Sequence, residues 1–139
     1  MTTREILSNP SAKLSEILRA ALADVRHALE LGTYSLDGRS WHKPTDASCQ
    51  ICLAGGALAG MHNFDDSLDL GVCDGDSELI RERLDMLDWI RSGYRVSRVH
   101  TAVLPQTQRI HQAASCSANE MAPLEMYDEL ADALEKEGL

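Results

Sequence analysis

The stretch whose reading decides the fold is Cys49-Gln-Ile-Cys-Leu-Ala-Gly-Gly-Ala-Leu-Ala-Gly60. Read at helical spacing, Ile51, Leu58 and Met61 fall on one side. Cys49, Cys52, Gly56 and Gly60 recur at steps of three and four, as a second stripe of small residues. The spacing therefore predicts a helix over about 48–61, capped by Ser48 or Asp46. Each glycine inside a helix costs roughly 1 kcal/mol relative to alanine, so Gly55 and Gly56 need a compensating contact. Close approach of another backbone is the physical candidate. The apolar run ends at Met61, far short of the ~20 residues of a membrane span.

Working outward, Asn9-Pro10 reads as a helix start, and Leu14, Ile17, Leu18, Ala21, Leu22, Val25 and Leu29 follow at helical spacing until Gly32. Residues 33–36 are expected to pair with 39–42 across the Asp37-Gly38 turn as a short hairpin. Trp41 is expected to plug the core. A further helix starts at Asp76 or Ser77, with Leu79, Ile80, Leu84, Leu87 and Ile90 on its apolar face, and ends at Gly93. Residues 106–115 make a short helix. A last helix is capped by Asn119, with Pro123 in its first turn. The expected fold is all-α or mainly α: a compact single-domain bundle spanning 1–139 around the small-residue helix.

The 139 residues carry 13 basic and 22 acidic side chains, a net charge of −9, distributed in blocks. Nine acids lie between Asp65 and Asp88. None lies between Trp89 and Asn119, where Arg91, Arg95, Arg98 and Arg109 stand. Seven acids follow from Glu120 to Glu137. Two competing partner surfaces emerge: the four arginines, or the acids Glu125, Asp128, Glu129, Asp132 and Glu135 of the last helix. Arginines without intervening acids are also a footprint of phosphate contact, but a sequence pI near 4.9 opposes nucleic-acid binding. Asp65 to Glu78 resembles a calcium loop but puts its glycine one position late for an EF-hand.

Cys49-x-x-Cys52 invites a zinc or redox reading. A tetrahedral zinc site needs four ligands, and Cys49 and Cys52 could recruit two of His42, His62, Cys73, His100 or Cys116. No second Cys-x-x-Cys or His-x-x-x-His pair exists, so the expectation is two small buried thiols and no cofactor. His42, Asp46 and Cys49 can be drawn as a nucleophile trio, though closeness in sequence is poor support for one. Four cysteines with no export signal argue for a reducing cytoplasm.

Trp41-His-x-Pro44, followed by Cys49-x-Ile-Cys-x-Ala-Gly-x-x-Leu-Ala59, resembles a motif of small uncharacterised proteins encoded by tailed bacteriophages. Leu84-Asp-Met-Leu-Asp-Trp-Ile-Arg-Ser-Gly93 resembles their later segment. The likeness covers roughly 41–103 and departs from the family at Gly56, Ala57 and Trp89-Ile90. It implies a phage or prophage origin and brings no reaction. By analogy with small acidic phage proteins, it implies an accessory protein in the host cytoplasm that binds, and inhibits, a host or defence protein. The alternatives are a zinc-containing or thiol enzyme and a nucleic-acid-binding module.

Overall fold

The fold is described from a computed structural model covering residues 1–38, 41–69, 78–93, 101–115 and 121–139. The chain is mostly helical, with a small three-stranded sheet. The helices are α1 (Thr3–Ser8), α2 (Leu14–Leu31), α3 (Leu53–Met61), α4 (Glu78–Ser92), α5 (Leu104–Ser115) and α6 (Leu124–Lys136). The strands are β1 (Tyr34–Leu36), β2 (His42–Pro44) and β3 (Cys49–Ile51).

The deciding stretch splits in two. Cys49–Ile51 is extended, with Cys49 and Ile51 buried and Gln50 between them less so. Cys52 is also extended (φ −115°, ψ −162°), and its carbonyl accepts the Gly56 N–H at 2.8 Å, so the helix begins only at Leu53. The expected helix over 48–61 is thus shortened at its start, and Cys49 and Cys52 do not share a helical stripe with the glycines. The reason is that β3 is the centre of the sheet and satisfies backbone groups on both sides. It pairs in parallel with β1 and antiparallel with β2. The expected hairpin of 33–36 with 39–42 is corrected accordingly: β1 and β2 each bond to β3, in the order β1-β3-β2.

Gly55 and Gly56 of α3 lie against neighbouring backbone, whereas Gly60, expected to do the same, meets a side chain. A side chain on Gly56 would overlap that of Val25, with the Val25 backbone nitrogen and Cα at 3.2 and 3.3 Å. Gly60 faces the Asp24 carboxylate on the same helix, α2. Gly55 points the other way, and a Cβ there would collide with the backbone carbonyl of Trp41. All of α3 except Gly60 is buried. It touches α1, α2, α4, β2 and β3.

The helix boundaries follow local chemistry. Thr2 caps α1 by accepting the Glu5 N–H, so residues 3–8 form a helix that the sequence reading lacked. Asn9 closes α1 and accepts the Ser11 N–H through its side chain, so Asn9-Pro10 is a connector and not the start of α2. Buried Arg83 reaches across from α4 to the Ile6, Leu7 and Asn9 carbonyls, supplying donors where α1 has run out of its own. Gly32 and Gly93 end α2 and α4 in the left-handed conformation, as expected. Residue 123 caps α6 from outside the helix, so Pro123 lies before the first turn; Asn119 lies outside the described residues. So do Arg39 and Ser40 of the expected hairpin, residues 70–77 of the acidic stretch from Asp65 to Glu78 with the expected helix starts Asp76 and Ser77, and Arg95 and Arg98.

Because the obstacle at Gly55 is a backbone oxygen, alanine there cannot be accommodated by a rotamer change. Gly55→Ala and Gly56→Leu are each expected to lower the unfolding free energy by more than ~2 kcal/mol, measured by urea denaturation. Unchanged midpoints for both would refute the close packing of α3.

Candidate functional site

Two features hold the chemistry that the sequence singled out, a buried thiol–imidazole cluster and a seam of ion pairs, and an exposed indole joins them.

The cluster sits where the sheet meets α2 and α3. His42 on β2 is 1% exposed and Cys49 on β3 is 2% exposed. The Leu68 carbonyl lies 2.7 Å from His42 Nδ1 and can only accept, so Nδ1 carries the proton in the neutral ring. Cys49 Sγ lies beside the ring, 3.4 Å from Nδ1 and 3.8 Å from Nε2. Tyr34 meets the same imidazole edge-on at 5.7 Å between centroids. Asp46 is exposed. The imidazole is oriented by a backbone carbonyl, so the drawn Cys-His-Asp trio lacks a carboxylate orienting its base.

Burial keeps these groups neutral. It pushes the Cys49 thiol up to about 11 and lowers His42 below its ordinary range, against the opposing pull of the Leu68 bond. Cys52 is fully buried at the start of α3, its thiol also pushed up to about 11 by burial. Catalytic thiolates need the reverse arrangement, a depressed pKa and access to substrate. The two cysteines also belong to different apolar clusters. Cys52 joins the main core with Trp41, Leu53 and Leu58, and Cys49 packs with Ala28, Tyr34, Ile51 and Ala59. Among the described residues no three His, Cys, Asp or Glu side chains gather as metal ligands, so His42, Cys49, Cys52 and His62 are not brought together as a site.

The charge blocks, separated along the chain, meet in space. Packing of α6 against α2 and α5 brings its acids to arginines. Arg19 bridges Asp132 and Glu135 (2.9 Å to the latter), Arg26 forks onto Asp128, and Arg109 reaches Glu129 at 2.6 Å. Glu125 adds its field at Arg26. Four of the five acids offered as a partner surface are therefore already paired within the chain. Arg91, from the rival surface, bonds Asp88 at 3.2 Å with its side chain 21% exposed, and its carbonyl accepts the Tyr127 hydroxyl at 2.6 Å. Arg91 and Arg109 thus serve internal contacts, and Arg95 and Arg98 lie outside the described residues.

The feature that the sequence reading missed is Trp89. It is 53% exposed on α4, whereas Trp41 is 9% exposed, Tyr34 5% and Tyr127 0%. The signal was present: at 100° per residue, position 89 lies opposite the buried Ile80, Leu84 and Leu87. No protein-family model, curated protein or solved structure matches the chain. No helix among the described residues is long and apolar enough to cross a membrane.

In a Cys73→Ser/Cys116→Ser background, Cys49 and Cys52 should react with a thiol reagent only as fast as the protein unfolds; rapid labelling in native buffer would contradict their burial. Because His42 is harder to protonate when folded, the unfolded chain binds the extra proton as pH falls below about 6.5. Stability should therefore decline from pH 7 to 5, and His42→Asn should flatten that slope relative to wild type, including the effects of neighbouring His62 and Asp65. An identical slope in both proteins would refute the assignment. The seam pairs are half-exposed, so a double-mutant cycle on Arg26 and Asp128 should give under ~1 kcal/mol, weakening with salt.

Proposed function

We propose that this chain is a phage-type accessory protein that acts by stoichiometric binding to a protein of the bacterial host, in the host cytoplasm. A component of a defence system, held inactive by the complex, is the target class that the phage-family resemblance favours. The observation that carries the binding reading is the solvent position of Trp89. Tryptophan is among the residues most enriched at binding hot spots, because a large rigid surface is desolvated at little entropic cost. A chain with six aromatic residues places one of its two tryptophans outside the core. The sealed, neutral state of His42 and Cys49 favours binding over thiol catalysis as the activity. The commitment of Arg91 and Arg109 to carboxylates weighs against the nucleic-acid reading.

The test uses the tagged chain as bait in nuclease-treated bacterial lysate, followed by mass measurement of the purified complex. The expected result is a complex of fixed stoichiometry with one bacterial protein. Absence of any complex, together with one zinc per chain in the purified protein, would replace this reading with the metalloenzyme alternative.

A further inference from the structure

Resting on the protein-binding reading, we infer that the outward ridge of α4 is the docking surface, and that its partner is a cationic protein groove with an apolar slot for an indole. Glu78, Glu82, Asp85 and Trp89 stand at i, i+4, i+7 and i+11, which places all four along one line of the helix. The buried positions Ile80, Leu84 and Leu87 lie on the opposite side. Glu78, Glu82 and Trp89 are exposed, and Asp85 is half-buried. Successive members of the ridge rise by about 4.5–6 Å along the axis.

The carboxylates of this ridge differ from those of α6. The α6 acids are consumed by Arg19, Arg26 and Arg109, and Asp88 beside the ridge is consumed by Arg91. Among the described residues, Glu78, Glu82 and Asp85 make no ion pair. Exposed Arg81 flanks the line, leaving the ridge net negative. A helix with three carboxylates that make no ion pair among the described residues, Glu82 adding only its field at buried Arg83, and with one desolvatable indole selects its complement on chemical grounds. Lysines and arginines on the partner match the carboxylates, and an apolar slot takes the ring. An apolar partner face alone would leave three carboxylates desolvated without counter-charge, which is costly. An anionic partner would be repelled.

The experiment divides nuclease-treated bacterial lysate on heparin into a retained, basic-surfaced fraction and a flow-through, and offers each to immobilised wild type, Trp89→Ala, Glu82→Lys/Asp85→Lys and Arg109→Ala/Glu129→Ala. The proposal expects a protein captured from the retained fraction, competed by free heparin. Once that protein is purified, Trp89→Ala should weaken it by about 30-fold or more, as hot-spot truncation does. The double charge reversal should abolish binding, mainly through the association rate, and the seam variant should bind as wild type. Thermal melts of the variants guard against unfolding as the cause. Capture only from the flow-through, or binding indifferent to both ridge variants, overturns the ridge assignment while leaving protein binding intact. Capture from neither fraction overturns both.

Discussion

The rest of the structure depends on the close approach of α3 to its neighbours through glycine. Gly56 lets the α2 backbone come within about one van der Waals contact, and Gly55 does the same for the carbonyl of Trp41. One short helix therefore fixes both α2, the longest element, and the segment that leads into β2. Two consequences reach the chemistry. The sheet is drawn against α2 and α3, which seals His42 and Cys49 away from solvent. And α4, packed on α3 through Leu84 and its apolar neighbours, is left with its opposite side facing outward.

Electrostatics follow the packing. Arg19 and Arg26 lie about two turns apart on α2, opposite acids with helical spacing on α6, so a single docking of the two helices closes several pairs. Each pair contributes little to stability at this exposure. Their larger effect is to consume the charge that looked free in the sequence. Arg109 joins the same seam from α5 through Glu129. On α4, Glu78, Glu82 and Asp85 make no ion pair among the described residues, and they lie along the line of the exposed tryptophan.

Much of the helical content was legible because α2, α4 and α6 carry long apolar periodicities, and Gly32 and Gly93 stop their helices by a local backbone preference. The glycine contacts were legible too, since a costly residue inside a helix demands a reason. The sheet was not. Three-residue strands are too short for a period of two to emerge, and Cys49–Ile51 runs without a break into a true helix. α1 was missed although Thr2-x-x-Glu5 is a recognisable capping pattern. The candidate surfaces failed for a different reason. A charge's position along the chain says nothing about its neighbour across the fold, and Arg26 and Asp128 are 102 residues apart. Trp89 could have been found by asking which large apolar residue lies off the apolar face of its helix.

The most direct test of the account is amide hydrogen exchange on the free protein, residue by residue. If α3 is the element on which the others depend, the amides of Ala57, Leu58 and Ala59 exchange only through global unfolding, with protection equal to the denaturant-derived stability and at least as great as that of α4 or α6. Exchange of α3 through a local opening, while α4 and α6 stay protected, would contradict it.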